Sequence, residues 1–394
     1  MNRLRIAVMA ACCFVAVPAV AQTLPPIKLG ALASLTGGGA LNGAAMVVAT
    51  RMAIADLNAA GGILGRKVEL VMADDQSDPT QAVNEAKRLV FQEKVHLIVG
   101  PNVSQETLAI LPTLTEGKVF NVSQSGSALL TPQVGPYHFS LQPSAEAQGV
   151  GMAKHALDIA HAKAPALLVD NGANSKTSAV AMRAYLESRG VSVVGQQEFP
   201  FKASDLTPQL LSLKRANPDM VLFVATIPDD VVTMLRGRQD LGWNIPVVGT
   251  NAITTFANVV LKMAGREAFT NVAGQSFTGF TYCASDTPGT SDYAKFLTKL
   301  KAFAPEESQK VAVTTVGWDY ASIMLMKDVA EGAGSLDASK MAAWLEANAD
   351  KLKSMAGPLS ASKDTHFLLG PNATVMAEHP EDIRSDGLLR RSGC

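Results

Sequence analysis

The sequence is poor in charge and in aromatics: of 394 residues, 18% are charged and 6% aromatic. Its 34 basic residues nearly balance its 35 acidic ones, for a formal net charge of -1. No basic excess points to nucleic acid, and no acidic block reads as a solvating tail. Four cysteines occur without a CxxC pair, which argues against a disulfide-rich scaffold and a zinc ribbon. Phosphate-binding P-loop, HExxH and GxSxG motifs are all missing. What is present is a chain 47% hydrophobic, too apolar for disorder and too long for one compact core. Two domains are expected.

Residues 2–5 (Asn-Arg-Leu-Arg) are basic, and 6–17 are almost continuously apolar. Pro18 ends that run, and Ala19-Val20-Ala21 supplies the small residues of a cleavage site. We read 1–21 as an export signal cleaved before Gln22. The run is shorter than the roughly 20 residues of a membrane span. Lipoprotein processing at Cys12 would leave too short an apolar region. Cleavage removes Cys12 and Cys13 and leaves Cys283 and Cys394, a candidate disulfide in an oxidising compartment, with two free thiols the alternative. No later run reaches spanning length, so the mature protein is expected to be soluble in the periplasm.

From there, strand-like and helix-like segments alternate. Apolar stretches at 27–33, 68–72, 95–99 and 119–122 read as strands. A second series follows at 166–169, 191–194, 221–225 and 246–248. Helical spacing over 42–60 stops at Gly61-Gly62. Asp78-Pro79 opens another helix, with Asp as cap and Pro at the first position. Ser104 is placed to cap a third, and helices are expected near 177–189, 207–216 and 229–241. This alternation predicts an α/β fold of two doubly wound, Rossmann-like lobes with parallel sheets. In such sheets ligands sit beyond the carboxyl ends of the strands, at helix N-termini. The corresponding loops are 34–43, 100–105, 123–128, 170–176, 225–229 and 249–254. They are rich in Ser, Thr, Asn, Gln and Gly and hold neither His nor Cys.

Each apparent catalytic motif has a plainer reading. Gly37–Gly43 lies between a strand and a helix, but Asn42 stands where a dinucleotide loop needs its third Gly. It reads as a ligand-lining loop that offers Leu41 and Asn42. Ser123–Ser127 has no base or orienting acid in a local signature, so it reads as a polar hydrogen-bonding loop. Asp74, Asp75 and Asp78 lack EF-hand spacing. The six histidines are scattered. No cofactor, metal or catalytic residue is expected.

Ile27–Gly30, Leu35-Thr36-Gly37, Ala60–Val68, Asp74–Pro79, Ile98–Pro101 and Gly317–Ala321 occur in an order that resembles the type I periplasmic solute-binding proteins of the leucine/isoleucine/valine-binding class. The resemblance covers nearly all of the mature chain. It implies a monomeric receptor that traps a small solute between two lobes and delivers it to the permease and ATPase of an ABC importer. It also implies a three-crossover hinge near 142, 273 and 354. Lobe 1 would be 23–141 with 274–353, and lobe 2 would be 142–273 with 354–394.

Carried over position by position, Ser104 meets the ligand carboxylate, while Gln124, Ser125 and Gly126 supply backbone and hydroxyl groups. Gly126 replaces a usual Thr. Ser175 and Thr226 fall at two aromatic positions of lobe 2. Asn251 replaces the Glu that often pairs with an α-ammonium. A buried ammonium needs a compensating charge or several acceptors. That substitution favours a small aromatic, keto or hydroxy acid, with neutral amides also candidates and a branched-chain or other hydrophobic amino acid the alternative if Asp170 or Asp229 reaches the ammonium. A sensor for a membrane receptor would use the same closure. An exported hydrolase would need a nucleophile–base pair, and none is evident in the sequence.

Overall fold

A computed structural model describes residues 24–394; the expected export signal, with Cys12 and Cys13, lies outside the described residues. Five short strands form the first sheet: β1 (Ile27–Ala33), β2 (Val68–Asp74), β3 (Leu97–Val99), β4 (Phe120–Ser123) and β5 (His138–Ser140). They run parallel in the order β2-β1-β3-β4-β5. Their apolar sequences suit a sheet covered on both faces. Helices Ala40–Ala59 and Val313–Ala333 bury Met46, Met52, Ile323 and Met326 in one of the cores flanking this sheet. Helices Pro79–Lys87 and Ser104–Gly117 bury Ala82, Ala86, Ile110 and Leu114 in the other. Asp78 caps its helix as expected, accepting from the Thr80 and Gln81 amides at 2.8 and 2.9 Å. Helix Ala40–Ala59 is long and apolar enough to cross a membrane, contrary to the expectation for runs after the signal. Its apolar residues Met46, Ala49, Met52 and Leu57 are consumed by the core.

The second sheet repeats the winding with β6 (Pro165–Asp170), β7 (Gly195–Phe199), β8 (Met220–Val224), β9 (Val247–Gly249) and β10 (Val272–Phe277). Short pieces follow: β11 (Thr281–Tyr282), β12 (Lys353–Ser354), β13 (Gly357–Pro358), β14 (Thr374–Glu378) and β15 (Leu389–Arg390). The second sheet's order is β14-β10-β9-β8-β6-β7, all parallel except β14 against β10. The strand expected at 191–194 is displaced to Gly195–Phe199. As an edge strand β7 needs one partner only, and its alternating exposure carries Gln and Glu outward, while Val191 and Val193 pack under the sheet as an approach segment.

Two expected lobe crossings also move. β10 pairs with β9 through Gly274, so the chain leaves the second sheet after Phe277 rather than at 273. Residues after 354 stay with the first lobe: Leu359, Leu368 and Leu369 enter its core, and Phe367 bridges Ser140. The return falls just before β14. The tail, expected in lobe 2, then turns back, with β15 beside β11 and Leu388 in the first-lobe core. Cys283 and Cys394 form a disulfide across 111 residues of chain.

Candidate functional site

Between the sheets lies a cleft lined from both lobes. It sits at the carboxyl ends of the strands, beside the points where each winding order reverses around β1 and β6. Six of its side chains come from the first turns of six helices: Asn42, Ser104, Gln148, Asn174, Asn251 and Thr315. Five of those helices carry no side-chain cap; the exception is capped by Ser144. Uncapped first turns direct backbone N–H groups and the positive dipole end outward. Gln124, Gly126, Thr226, Trp318 and Phe256 complete much of the wall. Among the described residues no Asp, Glu, Lys, Arg or His lines it.

The cleft is closed over by contacts between lobes. Leu41 packs against the second-lobe core. Asn258 Nδ2 donates to the Val311 carbonyl at 3.1 Å. Close approach also explains the glycine at 126: a Cβ there would collide with Asn174 Oδ1 and lie 2.6 Å from Gln148 Nε2, both from the opposite lobe.

Of the nine ligand candidates read from sequence, Asn42, Ser104, Gln124, Gly126, Thr226 and Asn251 line this cleft. Three do not. Leu41 is the interlobe contact just described. Ser125 is buried beneath its loop, its hydroxyl 2.6 Å from that of Thr107, because the 104–117 helix passes directly under it. Ser175 is also buried, 3.3 Å from the Thr226 hydroxyl, and its neighbour Asn174 takes the wall position. Ser104 does not cap its helix either. It is the first helical residue, and its Oγ accepts from the Ser127 amide at 3.2 Å. Asp170 and Asp229, the acids considered for an ammonium, are absent from the wall. Asp170 is buried behind Ser175 and Thr226, and that burial raises its pKa against the pull of neighbouring hydrogen bonds.

Sequence reasoning missed Asn102, Gln148, Asn174, Phe256, Thr315 and Trp318. Three had a signal nearby: Asn102 lies two residues before Ser104, Asn174 one before Ser175, and Trp318 inside the Gly317–Ala321 motif; Gln148, Phe256 and Thr315 had none. The Trp318 indole N–H, the Thr315 hydroxyl and the carbonyl oxygens of Asn102 and Asn174 are buried and have no protein partner. Orphaned polar groups of this kind cost about 1–3 kcal/mol each until something pairs with them. Behind the wall, Asp319 is fully buried and accepts from Asn102 Nδ2 at 3.1 Å and from Gln124 Nε2. Burial holds its carboxyl well above the usual carboxylate range.

Two lobes of the same winding, closed on a polar cleft, define a solute-binding protein. The chain belongs to the periplasmic binding protein family, whose profile matches residues 26–378. It is therefore a binding protein and not an enzyme, and the family operates outside the cytoplasm. A Leu/Ile/Val-binding protein of Rhizobium johnstonii is 26% identical over 294 residues, 74% of this chain and 80% of that one. The branched-chain amino acid transporter substrate-binding protein of Streptococcus pneumoniae, solved with isoleucine, superimposes with a TM-score of 0.77 at 24% identity. The match covers 92% of this chain and 97% of that one. An ABC transporter solute-binding protein of R. palustris, solved with 4-hydroxybenzoate, also gives 0.77 at 21% identity, covering 92% and 95%.

Proposed function

We propose that the chain is the exported solute receptor of an ABC importer, and that it traps a small organic acid for its membrane permease and ATPase. Aromatic, keto and hydroxy acids are the preferred class. One observation carries this reading: the cleft wall has no ionisable side chain, yet five uncapped helix N-termini open onto it. Dipole ends and backbone N–H groups suit an anion. An α-ammonium would be desolvated with no carboxylate in contact, which is costly. Ser104 and Asn251, one from each lobe, are the proposed carboxylate contacts. Trp318 and Phe256 offer an apolar body for the rest of the solute. The 4-hydroxybenzoate complex of the R. palustris protein shows that this fold accommodates such an acid.

A hydrophobic amino acid is the competing reading, favoured by the name of the Rhizobium relative and by the isoleucine complex. A thermal-shift panel on unfolded and refolded, ligand-free protein separates the two. A solute at 100 times its dissociation constant stabilises by about 2.7 kcal/mol. The proposal expects aromatic, keto or hydroxy acids to raise the midpoint and leucine, isoleucine and valine to leave it in place. The reverse pattern overturns it.

A further inference from the structure

We infer that Asp319 sets the solute specificity of the cleft: it turns the amide carbonyls of Asn102 and Gln124 toward the solute, so that the cleft selects an acid that also carries a hydroxyl. The inference rests on the carboxylate reading above and names the solute class more narrowly.

Asp319 stands one residue beyond Trp318 on the helix Val313–Ala333 and is completely buried. Its Oδ1 accepts from both Asn102 Nδ2 and Gln124 Nε2. A side-chain amide has donors at one end and an acceptor at the other. With both –NH2 groups held against Asp319, both carbonyl oxygens point away from it. The orientation does not depend on the charge of Asp319. An ionised carboxylate only accepts, and a carboxyl protonated on Oδ2 still accepts at Oδ1.

The result is visible on the wall. Asn102 Oδ1 is buried without a partner, and so is Asn174 Oδ1 on the opposite lobe. Gln124, on the same wall with its –NH2 likewise held by Asp319, supplies a third carbonyl. The unpaired donors are the Trp318 indole N–H and the first-turn amides of the helix bearing Ser104. A carboxylate accepts from such donors and cannot pair with the carbonyl oxygens. A plain acid would leave those carbonyls unpaired. A hydroxyl on the same solute would pair with them. Sites built to bond a hydroxyl reject the analogue that lacks it, because the buried partner is then orphaned. An ammonium is also a donor, but these carbonyls offer it neutral oxygens and no anion.

The test is calorimetric titration of the ligand-free protein with matched pairs: benzoate against 3- and 4-hydroxybenzoate, and butanoate against 3-hydroxybutanoate, with leucine alongside. The expected result is at least tenfold tighter binding of one hydroxylated member than of its parent. Asp319→Ala frees both amides to rotate and should bring that ratio within about threefold, while Asp319→Asn, which keeps an acceptor oxygen, restores it. Should Asp319→Ala fail to fold, Asn102→Ala removes one carbonyl directly and must lower the same ratio. Equal binding of parent and hydroxylated acids, or an unchanged ratio in these variants, overturns the inference and leaves the carboxylate reading standing. If leucine binds and no acid does, the carboxylate reading falls and the inference falls with it.

Discussion

Replacing Gly126 by Ala should weaken solute binding without weakening the unliganded fold. The new Cβ would meet Asn174 Oδ1 and stand 2.6 Å from Gln148 Nε2, both on the second lobe, with the Pro143 carbonyl at 3.3 Å. Ordinary carbon–heteroatom contacts lie near 3.5 Å, so both amides must retreat by roughly 1 Å or the lobes must stay slightly open. Either way two neutral hydrogen-bonding groups leave their places on the wall. At about 0.5–1.5 kcal/mol each, the loss is about 1–3 kcal/mol, a factor of roughly 5–150 in dissociation constant. The clash is taken to belong to closure: where opening parts Gly126 from Asn174 and Gln148, the added Cβ meets neither of them. Titration calorimetry with the most stabilising acid of the panel gives the affinity, and circular dichroism melting of the free protein gives the stability. Unchanged affinity refutes the closed-cleft geometry. A large fall in the free protein's midpoint refutes the claim that the clash belongs to closure.

Other predictions test separate parts of the account. Ser104→Ala and Asn251→Ala should each raise the dissociation constant of the same acid by about 10–150-fold, the value of one hydrogen bond to a charged group; unchanged affinity in both sinks the carboxylate placement. Glu106 is buried with both oxygens unpartnered, and burial pushes it up to about 8. A raised folded-state value means the proton is held more tightly in the folded protein, so this stabilisation is complete below the ordinary value of 4.5 and is lost as pH rises through about 8. Glu106→Gln should therefore melt with a flatter pH dependence than the wild type over that interval, as followed by calorimetry. Breaking the Cys283–Cys394 link with Cys283→Ser should lower stability, by at most about 4–5 kcal/mol for a loop of this length, measured as a shift in urea midpoint.

Legibility in the sequence followed local physics. The strand at 27–33 could be read to the residue because a parallel, doubly covered strand is apolar throughout. The edge strand β7 could not, since Gln196, Gln197 and Glu198 mask it and the apolar 191–194 segment draws attention one step early. The last lobe crossing was missed because 359–370 packs by shape against the first lobe without any periodic pattern. At the site, residues fixed by strand-to-helix turns were found at once or with an error of one or two positions, as with Asn174 beside Ser175. Trp318 and Thr315 were beyond such reasoning. They reach the cleft only because a helix nearly 200 residues downstream of Gln124 packs against the first sheet. Asp319 looks in sequence like one more helix acid, and only its burial against Asn102 and Gln124 gives it a role.

The central claim is that a cleft without ionisable walls holds a small acid by helix N-termini. A crystal structure of the protein with the most stabilising acid of the panel tests it most directly. The account predicts the carboxylate between the first turns that carry Ser104 and Asn251, with no charged side chain in contact and the far end of the solute toward Asn102 and Gln124. A carboxylate paired to an Arg or Lys, or an amino acid whose ammonium meets an acidic side chain, would contradict it.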